Sequence, residues 1–297
     1  MPDSKSTYAQ NSLPLPSAFP EQHQNQQPGS QKEMQPIPIL QNPQYRGSGK
    51  LSGKTALITG GDSGIGGAAA IAFALEGADV AIAFYNEQED AKETAGKIQG
   101  AGRRCLSIQC DLKQESEAIR LVNAALQEFG HLDIVVNNLA VQYPQNSLLD
   151  ITAEQLTTTF ATNIFSYFYV TKAALSHLVN GASIINTTSV TAYKGSPTLL
   201  DYSATKGAIC AWTRSLALSL AASGIRVNAV APGPVWTPLI TSSFSPQEVS
   251  KFGQNVPLGR AAQPFELAPA YVYLAGEDSA FVTGQVLHVN GGVITES

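Results

Sequence analysis

Tyr202 and Lys206 are the two side chains of this sequence whose types and spacing most directly suggest chemistry. They lie four residues apart in a stretch with helical spacing, so a helix would place both on one face. A tyrosine hydroxyl, with an ordinary pKa of about 10, is a poor acid or base at neutral pH, but a nearby ammonium group favours the phenolate. The pair therefore suits proton transfer in the interconversion of a carbonyl and an alcohol, although the spacing is also common on ordinary helix faces.

A glycine-rich turn follows the first predicted strand and has the form of a phosphate-binding site. The apolar run 55–59 leads into Gly-Gly-Asp-Ser-Gly-Ile-Gly from Gly60 to Gly66, and an apolar helical stretch follows. Glycine allows positive φ angles and the close approach of a ligand, and the N-terminus of a helix attracts phosphate. The turn lacks the Gly-Lys-Ser/Thr ending of a P-loop, and Ile65 stands where a serine-hydrolase elbow needs glycine. Strand, turn and helix in this order favour a dinucleotide site.

The elements that must position these residues alternate between short apolar runs and helical stretches from Lys50 onward. Continuous apolar strands separated by helices indicate a parallel sheet that is buried on both faces. With right-handed crossovers, the chain is predicted to form an α/β fold: a doubly wound, Rossmann-like parallel sheet of about seven strands with helices on both faces. The predicted strands are residues 55–59, 80–84, 104–109, 134–137, 183–187, 226–231 and 286–289, and the helical stretches include 68–75, 116–129, 153–179 and 204–222.

Residues 1–46 differ in composition from the rest of the chain. They hold 8 of the 17 prolines and nine glutamines, with no apolar periodicity and with charges that cancel. This composition predicts a disordered or surface-draped extension; an arm that packs on the main domain or on a neighbouring subunit, anchored by the apolar residues between Met34 and Leu40, is the alternative. Residues 47–297 are predicted to form a single dinucleotide-binding catalytic domain.

Composition excludes several other classes of function. The net charge is -5 and no run of Lys or Arg is present, so the basic footprint of a nucleic-acid-binding protein is missing. The stretch 68–84 is the nearest to a membrane span, but Glu76 and Asp79 interrupt it. Three cysteines without CxxC spacing and four scattered histidines predict neither disulfides nor a metal site. Without an apolar signal-peptide core, the cytoplasm is the expected location.

Five motifs together resemble those of a known family. In chain order they are Thr59-Gly60-x-x-x-Gly64-Ile65-Gly66, Asn137-Asn138 after a strand, Ser189 thirteen residues before Tyr202, Tyr202-x-x-x-Lys206, and Pro232-Gly233-Pro234. This set is similar to that of the short-chain dehydrogenase/reductases, in the compact single-domain branch, over about residues 50–293. The proline-rich extension and the stretch Asp-Tyr-Ser-Ala-Thr-Lys resemble in particular the glucose/ribitol dehydrogenase-like, or general-stress, subgroup.

The resemblance implies a role for each matched residue. Tyr202 would be the general acid in reduction and the base in oxidation, and Ser189 would orient the substrate oxygen. Lys206 would bond the nicotinamide ribose and, with the positive charge of the oxidised nicotinamide, lower the tyrosine pKa. Asn163 would hold a water that links Lys206 to solvent. The implied dinucleotide site comprises Thr59, Gly60, Ser63, Gly64, Ile65, Gly66, Tyr85, Asn86, Asp111, Asn137, Lys206, Pro232 and Gly233.

The choice between NADP and NAD depends on the end of the second strand. An acidic residue there bonds the ribose 2′-hydroxyl of NAD and repels a 2′-phosphate, but Phe84 occupies that position here. Because this carboxylate is missing, the sequence favours NADP. NAD or dual use is left open, because no Arg or Lys is obvious near the phosphate and Ser63 stands where NADP-preferring relatives often have a basic residue. Two departures from the family pattern, Leu139-Ala140 for Ala-Gly and Gly67 for arginine, bear on cofactor affinity.

The predicted activity is hydride transfer between a nicotinamide dinucleotide and an aldehyde, ketone, polyol or sugar. Loops after the fourth, fifth and sixth strands would line the substrate pocket and carry Gln142, Tyr143, Tyr193, Trp236, Phe244 and Phe252. A non-catalytic dinucleotide sensor or scaffold is the alternative, and a sugar-nucleotide epimerase would need a larger C-terminal domain. The family commonly assembles as homotetramers, here through helices 153–179 and 204–222.

Overall fold

The computed structural model describes Leu13 and residues 15–295. Its centre is one sheet of seven parallel strands in the order β3-β2-β1-β4-β5-β6-β7, which confirms the predicted doubly wound fold. The strands are β1 (Thr55–Thr59), β2 (Asp79–Phe84), β3 (Cys105–Gln109), β4 (Ile134–Asn137), β5 (Ser183–Thr187), β6 (Arg226–Pro232) and β7 (Val286–Val289).

Helices on both faces explain why the central strands β1, β4 and β5 are buried at every position. The α-helices of the described residues are α1 (Gly64–Leu75), α2 (Gln88–Gly100), α3 (Glu115–Phe129), α4 (Ala153–Phe160), α5 (Ser166–Leu175), α6 (Thr191–Lys194), α7 (Leu200–Leu220), α8 (Pro238–Thr241), α9 (Pro246–Ser250) and α10 (Ala268–Ala275). Helices α1, α2 and α10 pack on one face, and α3, α5 and α7 pack on the other. The helices on each face thereby exclude water from the apolar side chains of the sheet.

The predicted helix 153–179 is interrupted. A π-helical turn, Ala161–Phe165, separates α4 from α5, and α5 already ends at Leu175. Such turns contain one residue more per turn than an α-helix and often lie at functional sites. Apolar spacing alone does not distinguish the two forms, because the turn keeps Asn163 and Ile164 buried within an otherwise continuous helical pattern.

The strand order places a crevice at a defined point of the sheet. β1 pairs with β2 on one side and with β4 on the other, so β2 and β3 extend the sheet from one side of β1 and β4 to β7 extend it from the other. In open parallel sheets, ligands bind beyond the carboxyl ends of the strands at this switch point. The turn that follows β1 is the glycine-rich turn identified in the sequence.

The proline- and glutamine-rich segment follows the surface of the domain. Phe19, Met34 and Leu40 are buried, and residues Gln31–Glu33 form a single 3-10 turn. Residues 19–40 are termed the arm. Within the described residues, no helix is long and apolar enough to cross a bilayer.

Candidate active site

A cleft of about 910 Å³ lies at the carboxyl edge of the sheet, beside the turn between β1 and α1. Residues that follow β4, β5 and β6 form its remaining walls. The predicted site residues that line it are Gly60, Ser63, Gly64, Ile65, Tyr85, Asp111, Ser189, Tyr202, Lys206, Pro232 and Gly233. Five others, Thr59, Gly66, Asn86, Asn137 and Asn163, are not among the lining residues.

Helix α7 carries Tyr202 and Lys206 into the same part of the cleft. The side chains are 8% and 1% exposed, respectively, and Lys206 Nζ lies 5.4 Å from the centre of the Tyr202 ring. Lys206 Nζ donates a hydrogen bond of 2.9 Å to the carbonyl oxygen of Thr187, the last residue of β5. Ser189 follows two residues later, and its hydroxyl accepts a bond of 3.1 Å from the N–H of Thr191. One strand end and one helix thus bring the three side chains together.

Burial dominates the protonation of both titratable groups. It raises the pKa of Tyr202 to about 12, while a hydrogen bond to Ser189 acts in the opposite direction. It lowers the pKa of Lys206 to about 7. The sequence led us to expect that Lys206 lowers the pKa of Tyr202, but in the protein alone burial raises this pKa.

Asn163 lies on the π-helical turn and is fully buried. Its side chain exchanges two hydrogen bonds with the backbone of Val141: Oδ1 accepts from the N–H at 2.8 Å, and Nδ2 donates to the carbonyl oxygen at 2.9 Å. Nδ2 also lies 3.2 Å from Thr205 Oγ1 on α7. Asn163 therefore connects the loop after β4 to the helix that carries Tyr202 and Lys206.

The turn after β1 has the backbone that its glycines allow. Gly60 and Gly64 have positive φ angles of 61° and 51°. A Cβ on Gly66 would lie 1.9 Å from the carbonyl oxygen of Gly60, so only glycine fits there. Helix α1 begins at Gly64, and the first-turn N–H groups of Ile65 and Gly66 have no acceptor within the helix. These N–H groups and the dipole of α1 suit a pyrophosphate.

The structure places Asn138, rather than the predicted Asn137, against the cleft. The Asn137 side chain points into the core, where Nδ2 donates at 3.0 Å to Thr171 Oγ1 and to Asn186 Oδ1. Asn138 Nδ2 donates to the carbonyl oxygens of Thr59 and Gly60 at the glycine turn. Successive side chains at a strand end point to opposite sides, so a shift of one position exchanges a core residue for a cleft residue.

Thr59 acts on the same turn from the core. Its Oγ1 accepts a 2.9 Å bond from the N–H of Asn138, which joins the ends of β1 and β4. Thr59 thus holds the backbone beside the cleft, and its contact with the cofactor stays a prediction.

Lys113 is a basic residue of the cleft that the sequence analysis missed. Its Nζ lies 5.6 Å from the centre of the Tyr85 ring and 3.4 Å from Asp111 Oδ2, and all three residues line the cleft. Lys113 follows β3 rather than the glycine turn or β2, where basic residues are usually sought. The sequence could have pointed to Lys113, because it lies two residues after Asp111, which was already predicted to contact the cofactor.

Two carboxyl groups lie at the same end of the cleft. Asp62 is buried, and desolvation together with the charge of Glu87 raises its pKa to about 7. Burial also raises the pKa of Glu87. Both shifts reduce the negative charge that would oppose a phosphate here.

The opposite end of the cleft has a mixed apolar and polar lining. Gln142, Tyr143, Phe244 and Phe252 line it as expected, whereas Tyr193 and Trp236 do not. Trp236 is fully buried beneath Phe19 of the arm, with ring centres 3.7 Å apart. Tyr193 packs edge-on against His288. These two aromatic side chains are taken up by packing between segments that are distant in the sequence.

The two departures from the family pattern lie in different surroundings. Leu139 and Ala140 line the cleft directly. A Cβ on Gly67 would lie 3.3 Å from Leu40 of the arm and 3.3 Å from Thr94 Oγ1. The space beside this position is thus occupied by the arm and by α2.

Neither a candidate metal site nor a disulfide is found in the part of the chain that the structure describes. No group of three or more His, Cys, Asp or Glu residues there could hold a metal ion. Cys105, Cys110 and Cys210 are free thiols, and burial raises the pKa of Cys110 to about 12.

Comparisons with known proteins agree with this geometry. The family model described as Enoyl-(Acyl carrier protein) reductase matches residues 60–294. The chain is 50% identical over 282 residues to the glucose and ribitol dehydrogenase of Daucus carota, covering 93% of this chain and 97% of that protein. It is 48% identical over 287 residues to the NADPH-dependent aldehyde reductase 1, chloroplastic, of Arabidopsis thaliana, covering 94% and 100%.

A solved structure shares the fold over most of the chain. The short chain dehydrogenase from Burkholderia cenocepacia J2315, crystallised in complex with NADP, matches with a TM-score of 0.77 and 31% identity over 82% of this chain and 98% of that chain. The resemblance to the glucose/ribitol dehydrogenase-like subgroup is confirmed, and these comparisons lend no support to a non-catalytic sensor. The chain therefore belongs to the short-chain dehydrogenase/reductase family and is an NAD(P)-dependent oxidoreductase that transfers a hydride between a nicotinamide dinucleotide and a carbonyl or alcohol group.

Proposed function

We propose that Tyr202, Ser189 and Lys206 carry out the proton transfer that accompanies hydride transfer in this cleft. A bound dinucleotide supplies or accepts the hydride. In reduction, the Tyr202 hydroxyl donates its proton to the substrate oxygen, which Ser189 holds by a hydrogen bond; in oxidation, Tyr202 takes the proton back. The observation that carries this proposal is the convergence of the three side chains beside the glycine turn, inside one cleft.

Lys206 and Asn163 support this proton transfer without touching the substrate carbon. The Lys206 ammonium, held at the end of β5 by the Thr187 carbonyl oxygen, binds the ribose next to the nicotinamide and favours the phenolate when it is charged. Asn163 keeps the loop after β4 beside α7 and holds the water through which Lys206 exchanges protons with solvent.

The dinucleotide is proposed to be NADP rather than NAD. Phe84 ends β2 without a carboxylate for the ribose 2′-hydroxyl, and the basic Lys113 lies against Tyr85 just beyond that strand. The Burkholderia structure contains NADP, and the Arabidopsis relative is named for NADPH. In this chain, Lys113 would bind the 2′-phosphate, a charge-assisted contact that NAD does not offer.

Replacement of Lys113 by alanine tests this preference. We expect the Kd of NADPH to rise about tenfold and the Kd of NADH to change less than about twofold, because only NADPH carries the 2′-phosphate. Fluorescence titration measures both constants without a substrate. Lys92→Ala, on the exposed side of α2, is the control for loss of surface charge. An equal effect on both dinucleotides would contradict the assignment of Lys113.

The substrate is proposed to be an uncharged polyol, sugar or aldehyde of small to medium size. The substrate end of the cleft combines aromatic side chains with the amide of Gln142. Gln142 Nε2 is buried and has no partner within the described residues, so it is a donor for a substrate oxygen. The names of the two plant relatives mention glucose, ribitol and aldehydes.

A substrate screen with both cofactors tests the proposed activity. The purified protein is incubated with NADPH or NADH and a panel of aldehydes, ketones and oxidised sugars, and with NADP or NAD and polyols, and the reduced dinucleotide is followed by absorbance. We expect turnover with neutral carbonyl compounds or polyols and faster turnover with the phosphorylated dinucleotide. Tight NADPH binding without turnover on any compound would instead favour the sensor.

The proposed assembly is a homotetramer in the cytoplasm. Leu156, Phe165, Phe168 and Leu218 are large apolar side chains that are exposed on α4, the π-helical turn, α5 and α7, and burial between subunits would remove them from water. Three free thiols suit a reducing compartment. Light scattering measures the number of subunits.

A further inference from the structure

The arm contacts a second segment that covers the cleft. This segment, residues 234–260, follows β6, contains α8 and α9, and is termed the flap. Phe19 of the arm stacks on Trp236 of the flap at 3.7 Å with an interplanar angle of 5°, and Trp236 Nε1 donates a 2.8 Å bond to the carbonyl oxygen of Pro36. Met34, 1% exposed, belongs to the same apolar cluster. The outer side of the flap is therefore packed against the arm.

The inner side of the flap lies against the glycine turn. A Cβ on Gly64 would lie 3.1 Å from Thr237 Cγ2, and a Cβ on Gly29 of the arm would lie 2.8 Å from the carbonyl oxygen of Pro238. Adjacent flap residues thus contact the glycine turn on one side and the arm on the other. The flap is held between them, so it cannot move away from the glycine turn unless its contacts with the arm break.

Gln27 joins the flap to the opposite wall of the cleft. Its Nε2 donates a 2.6 Å bond to the carbonyl oxygen of Gln142, and its Oε1 accepts a 3.2 Å bond from the Gln142 N–H. Nε2 also lies 3.3 Å from Ser243 Oγ of the flap. Gln27, Pro28 and Gly29 line the cleft. One amide of the arm therefore satisfies two backbone groups after β4 and a hydroxyl of the flap.

A second glutamine of the arm contacts the glycine turn itself. Gln31 Oε1 accepts a 2.9 Å bond from the N–H of Gly64, and the Gln31 N–H donates 2.6 Å to Asp90 Oδ2 on α2. Gln31 is buried and lies outside the cleft lining. It holds the first residue of α1 from the protein side and leaves the cleft side of the turn to a ligand.

We propose that the arm forms one wall of the dinucleotide site and that Gln27 is a positioning residue that holds the flap closed over a bound dinucleotide. This inference rests on the proposed function, because it assigns the dinucleotide to the cleft. Release of the dinucleotide requires the flap to leave the glycine turn, and the bonds of Gln27 oppose that movement. Gln27 also fixes the backbone of Gln142, the residue that presents the unpartnered amide to the substrate.

The rate of NADPH release measures this role without any substrate. The variants Gln27→Ala and Gln27→Met are compared with wild type in stopped-flow fluorescence, with excess unlabelled NADP as competitor. We expect NADPH to dissociate about tenfold faster from both variants, because each loses the hydrogen bonds that Gln27 makes to Gln142 and to Ser243. The methionine variant keeps the length of the side chain and so preserves packing. Gln26→Ala, at the exposed neighbouring position, should release NADPH at the wild-type rate.

The outcomes separate this inference from the proposed function. If wild-type protein does not bind NADPH or NADH, the proposed function is wrong and the role of the arm falls with it. If wild type binds NADPH and all three variants release it at the wild-type rate, the arm proposal alone is wrong. If Gln27→Met behaves as wild type while Gln27→Ala does not, packing rather than hydrogen bonding holds the flap, and the role given to Gln27 is overturned.

Discussion

Replacement of Tyr202 by phenylalanine is expected to lower kcat by about 10³-fold while the Kd of NADPH changes less than about twofold. The substitution removes one hydroxyl from a side chain that is 8% exposed and keeps the ring that packs in the cleft. The proposed proton donor to the substrate oxygen is lost, whereas the glycine turn and Lys206 remain. Steady-state kinetics on a substrate found in the screen and fluorescence titration of NADPH measure the two effects.

A matched control separates the loss of this hydroxyl from the loss of any phenol nearby. Tyr193 lies outside the cleft lining, and its hydroxyl is bonded to Cys210 Sγ. Tyr193→Phe should keep kcat within about threefold of wild type. If Tyr202→Phe retained the wild-type rate, Tyr202 would not be the proton donor, and another group would have to be sought in the cleft.

Replacement of Lys206 by methionine is expected to lower activity and to raise the stability of the protein without ligand. Lys206 is 1% exposed, and burial lowers its pKa to about 7. An apolar side chain of similar length removes the cost of burying an amine, and we expect the free energy of unfolding at neutral pH to rise by about 2 kcal/mol. Activity should fall at least about 100-fold, because the proposed ribose contact and the positive charge beside Tyr202 are lost.

The pH dependence of this stability difference follows from the two pKa values. Lys206 has an ordinary value of 10.5 and a folded value of about 7. Between them the unfolded chain binds a proton that the folded protein does not, so this group makes wild-type stability rise with pH. The advantage of Lys206→Met should therefore be largest near or below pH 7 and should shrink as the pH approaches 10.5.

Urea unfolding at several pH values measures this difference. Lys172→Met is the control, since its side chain is 77% exposed and pairs with Glu115 at the surface; its stability should stay within about 0.5 kcal/mol of wild type. A Lys206→Met variant that is less stable than wild type at neutral pH would mean that the bond from Nζ to Thr187 outweighs the cost of burial.

In the proposed role of the arm, its two glutamines hold the walls of the cleft that must separate for the cofactor to leave. Gln27 acts across the cleft on Gln142 and the flap, and Gln31 acts on the turn at Gly64. A short-chain fold without such an arm would leave the outer side of the flap exposed. Here the buried stacking of Phe19 on Trp236 fills that side with apolar contacts, whose burial opposes opening.

The sequence by itself determined the strands, the glycine turn and the Tyr202–Lys206 pair. Each of these rests on local rules. Apolar runs have the length of strands, glycines allow the positive φ angles that are found at Gly60 and Gly64, and a four-residue spacing places two side chains on one helix face. All seven predicted strands are present, with ends that differ by at most a residue. The apolar runs of the strands can be read from the sequence because burial on both faces of a parallel sheet requires them.

The tertiary structure alone decided which side chains of those elements reach the cleft. Asn138 lines the cleft where Asn137 was expected, and Lys113 lines it from the loop after β3. Trp236 was expected to line the cleft but instead stacks on Phe19 of the arm. The arm itself is joined to the flap by a hydrogen bond between residues 200 positions apart. Local composition carries no information about such pairs, because their free energy comes from surfaces that meet only after the sheet has formed.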